Sequence, residues 1–330
     1  MCFTSAQHVR SLPSETPYYC SRLNSTTHLI IHNDSYSEFP FIYVKLYTGI
    51  SLAVVIDTGC GALNGRDTAP AMELKDFICR EILSSDQACF DFLVICTHCH
   101  FDHIGGIETF SGTGASIVAS GNDLEFLRPE RRDANSLCGA FGMRTPKYEI
   151  SKYAQDGEEL ENKGHSLGLQ VIHTPGHTPD SMAVYDEAEH WLFVGDTCYQ
   201  RFATMPWHEE QAVPIILPLQ GNWRDFVASL HTLHEFVLQT EGSRNDASKE
   251  MRIRLAAGHT TSRSFAEGFL SRAIAFCEGI VSGAVPEFVR LPGDVVAPGG
   301  SLGDEMFVLW QDEGETEFSL MAPARFIDDF

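Results

Sequence analysis

The sequence predicts an α/β fold in which two sheets are flanked by helices within one domain. Short segments that alternate apolar and polar residues recur between turn-forming residues, which is typical of strands. Residues 223–239 and 264–283 instead have apolar residues at helical spacing. No internal repeat and no low-complexity linker divides the 330 residues. These three observations favour a single layered domain.

The first part of the chain is predicted to contain an irregular N-terminal lead-in, then a meander of strands and a helix. Residues 1–26 lack clear periodicity and are expected to be irregular. The segments that follow are THLIIHND, FPFIYVKLYTG and SLAVVIDTG for the strands, MELKDFICREIL for the helix and FDFLVICTH for a strand buried on both faces. Further on, GIETFSGTG predicts a short helix and turn and ASIVAS a strand. NDLEFLR predicts a helix that Asn122 caps.

A long loop is predicted over residues 128–147, RPERRDANSLCGAFGMRTPK, because this stretch has no period. Long loops in compact domains are often functional. This loop is therefore one candidate wall for a substrate pocket.

The second part of the chain supplies more strands and the two clearest helices. The strand segments are LGLQVIHTPGHT, the hairpin SMAVYDEAEHWLFVGDT, MRIRLAAGHT and a last hairpin, MFVLWQDEGETEFSLMA. The helices are WRDFVASLHTLHEFVLQ and SFAEGFLSRAIAFCEGIVSG. We therefore predict a catalytic domain over residues 27–282 and an appended C-terminal hairpin element over residues 283–330, packed on the same domain.

Composition excludes several classes of partner. The 45 acidic and 23 basic residues give a formal charge of −22, which repels nucleic acid and anionic lipid. No stretch is apolar enough to span a membrane, and the start has no secretory pattern. The ten cysteines include no CxxC pair, so reduced thiols and a cytoplasmic location are expected. The expected partner is a small molecule with a carbonyl group, and a homodimer is left open.

Metal-ligand residues crowd the end of the buried strand, in THCHFDHIGG at residues 97–106. In an extended segment His98 and His100 point the same way and can share one metal. Asp102 and His103 follow as the chain turns into the next helix, which can aim them at a second metal. Imidazole suits zinc and iron, and a carboxylate keeps such a site Lewis-acidic.

Three later strands end in the same way. His177 follows LQVI, Asp196 follows HWLFV, and His259 follows RIRLAA. A lone histidine after a strand is usually a capping or surface residue. A set of ligand-type residues at several strand ends has another explanation, because rigid strand ends can converge on one point at a sheet edge. The full set therefore predicts a metal site.

The HCHFDH run is an HxHxDH signature, and with TPGHT, GDT and AAGHT in that order it resembles the metallo-β-lactamase superfamily over residues 40–262. The resemblance implies an αββα four-layer sandwich of two mixed sheets flanked by helices, with the metals at one edge. It also implies two Zn²⁺ ions per chain. The implied ligands are His98, His100 and His177 for the first ion, Asp102, His103 and His259 for the second, and Asp196 as the bridge.

The resemblance further implies a zinc-dependent hydrolase in which a hydroxide held between the two ions attacks a carbonyl. Asp102 is the candidate to orient that nucleophile or move its proton. True β-lactamases of the superfamily have cysteine or serine where this chain has Asp196, whereas glyoxalase II and the lactonases have the bridging aspartate. Tyr199 in DTCY is similar to a lactonase tyrosine that assists at the carbonyl or leaving group, although a packed tyrosine fits equally well. A lactone or lactam is thus the expected substrate.

Three alternatives stay open. One alternative is a thioesterase like glyoxalase II, whose reaction requires the same chemistry from the metals. A persulfide dioxygenase keeps the same signature but uses one Fe²⁺, held here by His98, His177 and Asp196. A non-catalytic binding module would be expected to have lost ligands, and all seven are present.

Other residues near the motifs have weaker assignments. Asp57 in VVIDTG resembles a supporting aspartate that fixes a ligand loop by hydrogen bonds, and a plain turn residue is the alternative. Cys99 should face away from the metals and act as a core thiol. Strand geometry does not force His173 toward the metals.

A second candidate wall for the pocket lies just after the bridging aspartate, in residues 199–223. Aromatic side chains in this stretch could line an apolar pocket or only pack the loop down. These residues are Tyr199, Phe202, Trp207 and Trp223.

Overall fold

Two mixed β-sheets form the middle of the molecule in the computed structural model. The structure describes residues 16–61, 72–83, 90–207, 210–242, 252–296, 305–311 and 317–328. The strands are β1 (Tyr18–Arg22), β2 (Thr27–His32), β3 (Phe41–Tyr47), β4 (Leu52–Ile56), β5 (Asp91–Ile95), β6 (Ser116–Ser120), β7 (Lys152–Ala154), β8 (Glu159–Asn162), β9 (His165–His173), β10 (Met182–Asp186), β11 (Trp191–Phe193), β12 (Phe202–Thr204), β13 (Glu210–Ala212), β14 (Ile215–Ile216), β15 (Arg254–Ala256), β16 (Ser264–Phe265), β17 (Glu287–Pro292), β18 (Met306–Gln311) and β19 (Ser319–Pro323). The α-helices are α1 (Leu74–Glu81), α2 (Phe101–Ile104), α3 (Pro129–Asn135), α4 (Trp223–Gly242), α5 (Ala266–Val281), α6 (Gly293–Val296) and α7 (Arg325–Asp328).

The first sheet has seven strands in chain order, β1 to β7. Strands β1 to β4 run antiparallel to their neighbours, and β4 to β7 run parallel. Strands β4 and β5, with sequences LAVVI and DFLVI, are apolar on both faces, as parallel strands covered on both sides require. In β4, Val54 faces the inner core between the sheets and Val55 faces the outer core.

The second sheet has six strands in the order β16-β15-β11-β10-β9-β8. Only β11 and β15 pair in parallel, so this sheet is mixed as well. The two sheets pack face to face, and the ring of Tyr43 from the first lies 4.8 Å from that of Phe193 in the second. Their contact forms one buried apolar cluster.

Helices cover the outer faces of both sheets. Helix α1 buries Phe77 and Ile78 against the first sheet. Helices α4 and α5 pack on the second sheet through residues such as Leu233 and Phe269. The order of layers is helix, sheet, sheet, helix, which confirms the predicted αββα sandwich. Among the described helices, none is both long and apolar enough to cross a membrane.

Two local predictions are wrong. Tyr18–Arg22, inside the predicted irregular lead-in, forms the edge strand β1, because it pairs with β2 and buries Tyr18 against Phe77. Residues 1–15 lie outside the described part of the chain. NDLEFLR forms a turn, in which the Asp123 carboxylate accepts a hydrogen bond from the Phe126 amide at 3.0 Å.

The predicted loop over residues 128–147 contains a helix. Helix α3 begins at Pro129, whose fixed φ suits the first helical position. A short 3₁₀ turn follows at Cys138–Phe141. The rest of the stretch is irregular, as the absence of a period indicated.

Strands β12 and β13 form a small two-stranded sheet, and the C-terminal residues form a separate sheet of four strands, in the order β14-β19-β18-β17. The predicted hairpin is confirmed as β18 and β19. It is joined by β14, which belongs to the stretch before α4 and pairs in parallel with β19. Side chains such as Trp310 and Leu320 pack in the same apolar cluster as helix α5. The boundary at residue 283 stays a prediction.

Candidate metal centre

Strand ends from both central sheets bring the predicted ligands together. His98 follows β5, His177 follows β9, Asp196 follows β11, and His259 follows β15. His100 precedes the short helix α2, which carries Asp102 and His103. All seven side chains are buried and fall into two groups whose ligand atoms lie within 4.8 Å of one another. Ligation of a metal by each of them stays a prediction.

The first group consists of three imidazoles. His100 Nδ1 lies 3.1 Å from His98 Nε2 and 2.9 Å from His177 Nε2. The outer nitrogens of two rings have their own partners, Thr97 Oγ1 at 3.1 Å from His98 Nδ1 and the Ile216 carbonyl at 2.7 Å from His177 Nδ1. These contacts fix which nitrogen of His98 and His177 points inward, as an outer hydrogen bond does at metal sites.

The second group mixes imidazoles and carboxylates. His103 Nε2 lies 3.4 Å from Asp102 Oδ2, and His259 Nε2 lies 3.2 Å from the same oxygen. Asp196 approaches both imidazoles, with Oδ1 3.3 Å from His103 Nε2 and Oδ2 3.5 Å from His259 Nε2. Nitrogen and oxygen donors in this combination suit zinc or iron.

Asp196 lies between the two groups. Its Oδ2 is also 4.0 Å from His98 Nε2 and 3.8 Å from His177 Nε2. A carboxylate whose Oδ2 approaches imidazoles of both groups has the position that a bridging ligand needs.

Asp57 supports the ligand loop by hydrogen bonds, which confirms the role that the sequence favoured over a plain turn. Its carboxylate accepts hydrogen bonds from the Thr97 amide and the Thr97 hydroxyl, each at 2.8 Å, and lies 2.9 Å from His103 Nδ1. Asp57 itself has a φ of +62°, a left-handed conformation that few residues other than glycine adopt. The cost of that conformation is offset by the hydrogen bonds that it makes available.

Gly258 leaves room for the second group. A Cβ atom at this position would lie 2.3 Å from Asp196 Oδ1 and 2.6 Å from His103 Cε1. Any side chain there would displace one of the two ligand-type residues. The glycine before His259 is thus required by close packing.

Electrostatics differ between the two groups. Burial, with the neighbouring imidazoles, holds the pKa of His98 well below its usual range and lowers the pKa of His100 to about 3. Burial acts the same way on His103 and His259, but the carboxylates around them outweigh it and raise both pKa values well above the usual range. The first group therefore offers neutral imidazoles, the form that binds metals.

The residues present fit a metal ion. His103 Nε2 and Asp196 Oδ1 are buried and lie 3.3 Å apart, yet neither atom makes a hydrogen bond among the described residues. Leaving such atoms unsatisfied costs about 1–3 kcal/mol each. A cation held by both atoms removes that cost, and the donor types are those of a zinc or iron site.

A narrow pocket opens beside these residues. Its floor includes His100, Asp102 and His259. The predicted loop at 128–147 contributes Leu137 and Phe141, so this candidate wall does line the pocket. No lysine or arginine is among the described residues that line it.

The stretch over residues 199–223 lines the pocket mainly with aliphatic residues, Val213, Ile216 and Pro218. Of its four aromatic residues, only Tyr199 lines the pocket. Trp207 packs on Phe39, with ring centroids 5.2 Å apart. Phe202 is exposed on β12, and Trp223 is buried in the core at the start of α4.

Tyr199 packs its ring edge-on against His259, at 5.2 Å between centroids. Its hydroxyl donates a hydrogen bond to the Pro214 carbonyl at 2.9 Å. Assistance to a substrate carbonyl would need that hydroxyl to change partner. The catalytic role of Tyr199 stays a prediction.

The pocket also contains residues that the sequence did not single out. Glu38 lines it, and its backbone carbonyl lies 2.9 Å from His259 Nδ1. Val296 and Phe307 come from the C-terminal sheet region. No local motif marks these three residues, because they reach the pocket only through packing of distant segments.

Cys99 and His173 are ligand-type residues close to the motifs, but they contact other parts of the protein. Cys99 is a core thiol, packed with Ala119 and Leu127, as expected. His173 Nε2 lies 2.9 Å from the carbonyl of Ala154, which ends strand β7 of the first sheet.

An αββα sandwich with buried histidines and aspartates at one sheet edge is the architecture of a metal-dependent hydrolase class. The family model that matches residues 91–240 is described as "Metallo-beta-lactamase superfamily". The chain contains a metallo-beta-lactamase superfamily domain.

Solved structures agree on the fold. A metallo-beta-lactamase from Pontibacter korlensis has a TM-score of 0.53 and 17% identity, over 79% of this chain and 99% of that one. The family protein TTHA1429 from Thermus thermophilus has a TM-score of 0.55 and 19% identity, over 80% of this chain and 83% of that one.

Sequence relatives carry several descriptions. A protein of Aspergillus versicolor described as "Putative transcription factor avaE" is 30% identical, over 84% of this chain and 81% of that protein. The bovine "Acyl-coenzyme A thioesterase MBLAC2" is 29% identical, over 47% of this chain and 58% of its own length. The "Hydroxyacylglutathione hydrolase" of Idiomarina loihiensis is 29% identical, over 42% of this chain and 47% of its own length. The chain thus spans about half of the last two relatives.

Proposed function

We propose that this protein is a dinuclear zinc hydrolase that cleaves a small thioester with an apolar acyl group. The observation that carries the proposal is the apolar pocket that opens directly on the two ligand groups. The relatives described as thioesterase and as hydroxyacylglutathione hydrolase add support. A substrate with a carbonyl group is the partner we propose, and a homodimer stays a prediction.

The residues of this chain have separate parts in the proposed reaction. His98, His100 and His177 would hold one zinc ion, Asp102, His103 and His259 the other, and Asp196 both. Bound zinc supplies Lewis acidity toward a carbonyl and toward water. The Asp102 carboxylate, on the pocket floor, would accept the proton of the attacking water. Phe101 and Phe141 exclude bulk water from one side of the pocket.

Opening of a lactone or lactam is the second candidate. It is favoured by Tyr199, whose ring borders both the pocket and His259. Iron-dependent persulfide oxidation is less well supported, since it would leave Asp102, His103 and His259 without a role.

Metal analysis of the purified protein, expressed with both zinc and iron available and without chelators, is the first test. About two zinc ions per chain are expected. One iron per chain would contradict the proposal. A panel of thioesters, lactones and lactams then separates the two hydrolase candidates by their kcat/KM values.

His98→Ala and Asp196→Ala should each abolish hydrolysis while the chain stays folded by circular dichroism. His173→Ala is the matched control, because this histidine ends strand β9, just before His177, and contacts a backbone carbonyl instead of the ligand groups. Retained turnover in both ligand variants would refute the site assignment.

A further inference from the structure

We propose that the C-terminal sheet sets the length of the acyl group that the pocket accepts, with Phe307 as the residue that limits it. This inference rests on the proposed acyl hydrolysis and names the substrate more narrowly. Phe307 lines the pocket and at the same time belongs to a second apolar cluster, the C-terminal cluster, which includes Leu291, Leu309 and Met321. The Phe307 ring therefore borders the pocket and also packs in the C-terminal cluster.

Strand alternation fixes where Phe307 points. In β18, Val308 and Trp310 pack in the large core beside helix α5. Phe307 and Leu309 face the other way, into the C-terminal cluster. Successive side chains of a strand alternate between its faces, so the register of β18 determines which residue borders the pocket.

The C-terminal sheet is continuous with the metal-ligand groups. Ile216 of β14 lines the pocket and pairs with Met321 of β19. The Ile216 carbonyl also lies 2.7 Å from His177 Nδ1. Strand β19 then pairs with β18, which carries Phe307. One hydrogen-bonded sheet thus joins a predicted ligand to the pocket wall.

The size of the pocket indicates a short chain. The pocket has a volume of about 80 Å³. A pocket this small favours a short acyl chain over a long one. The charged lining residues are Glu38 and the predicted ligands, and the remaining wall is apolar. The matching acyl group is uncharged and short.

Removal of the Phe307 ring should lengthen the accepted chain. The side chain is 1% exposed, lines the pocket and packs against the other residues of the C-terminal cluster. A truncated aromatic residue leaves space that its surroundings fill only in part. In Phe307→Ala the pocket would therefore extend toward Leu291 and Met321.

The test combines a binding and a kinetic measurement on the full chain. Straight-chain primary alcohols of increasing length are bound to the zinc-loaded and the zinc-free protein, and the thermal shift of each is recorded. Among these alcohols wild type should be stabilised most by a short chain, and the optimum should move to chains longer by about two to four carbons in Phe307→Ala. The kcat/KM of a thioester series should show the same displacement.

Two further variants serve as a control and as a second test. Phe318→Ala is the matched control, because Phe318 is a buried aromatic residue of the same C-terminal region that packs on Phe269 and Phe276 instead of the pocket. Its optimum should equal that of wild type. Val296→Phe adds a ring at the pocket wall and should shorten the preferred chain, which keeps the proposal testable even when Phe307→Ala does not fold.

The outcomes separate the two proposals. An alcohol optimum that moves as described, with no thioester cleaved, supports the role of Phe307 and refutes the thioesterase function. An optimum that stays at the wild-type length in Val296→Phe, and in Phe307→Ala where that variant folds, overturns the role of Phe307. This conclusion about Phe307 applies whether or not the protein cleaves thioesters.

Discussion

Asp57, which is not one of the predicted ligands, orients residues of the candidate metal centre. Its two oxygens accept hydrogen bonds from Thr97 and contact His103, so they orient the residue before the HxHxDH run and the last residue of that run. The sequence predicted this role correctly from VVIDTG. It gave no sign that Asp57 would need a left-handed backbone, since that conformation depends on the strand β5 beside it.

Asp57→Asn should weaken zinc binding about 10–100-fold, because an amide cannot replace both carboxylate oxygens as acceptors. The measurement is competition for zinc with a chromophoric chelator. Zinc-free wild type and variant should unfold at similar temperatures, which shows that the loss is specific to the site. Equal zinc affinities would contradict the proposed role.

His32 should make the stability of the protein depend on pH. Burial lowers the pKa of this histidine from 6.5 to about 3. The neutral ring stabilises the fold fully above pH 6.5, and this contribution is lost as the pH falls toward 3, because the unfolded chain binds the proton first. At pH 5 the loss is about 2 kcal/mol.

The test compares wild type with His32→Asn, which keeps an acceptor for the Cys60 amide but cannot take up a proton. Urea unfolding at pH 7 and pH 5 should show wild type losing about 2 kcal/mol more than the variant. Metal release at low pH affects both proteins and cancels in the difference. Equal losses would show that His32 is protonated in the folded state.

At the scale of elements, a buried ion pair joins the two central sheets. Lys45 of β3 contacts Asp186 of β10 at 2.6 Å, and both side chains are almost fully buried. The same Asp186 accepts hydrogen bonds from the amides of Ala188 and Glu189 in the β10–β11 turn. The pair therefore fixes that turn against the first sheet.

Lys45→Met should destabilise the protein by about 3–5 kcal/mol, because it leaves a buried carboxylate without its counter-charge. Lys163→Met is the matched control, since its ion pair with Asp91 has the same 2.6 Å separation but is exposed. The control should change the free energy of unfolding by less than about 1 kcal/mol. Similar effects of the two substitutions in urea unfolding would refute the argument.

The elements themselves were largely predictable. Strands such as β4 and β10 and helices α4 and α5 have strong local periodicity, and the structure confirms them. NDLEFLR failed because the Asp123 carboxylate caps a turn there, which competes with helix formation. Strand β1 was missed because an edge strand depends on its neighbour more than on its own pattern.

At the scale of the whole molecule, the candidate metal centre connects the two sheets. His98 follows a strand of the first sheet, whereas His177, Asp196 and His259 follow strands of the second. A metal held by both sets binds the folded chain and has no preformed site in the unfolded one. Metal binding should therefore stabilise the sandwich as a unit.

Removal of the metal should lower the free energy of unfolding by about 3–4 kcal/mol when free zinc is 100–1,000 times its dissociation constant. Calorimetry of the zinc-loaded and the chelator-treated protein measures the effect. Asp196→Ala should respond less to added zinc than wild type. An unfolding temperature that is unchanged by the chelator would contradict a metal shared by the two sheets.

The sequence by itself determined most strands of the two central sheets, the two long helices and the set of ligand-type residues that follow strand ends. It could do so because alternation, helical spacing and the HxHxDH run are local patterns, and each ligand-type residue directly follows its own strand or turn. Only the tertiary structure decided what surrounds that edge. Glu38, Ile216 and Phe307 are distant in the chain and border one pocket. Their positions follow from how the loops and the C-terminal sheet pack, and no local pattern records such packing.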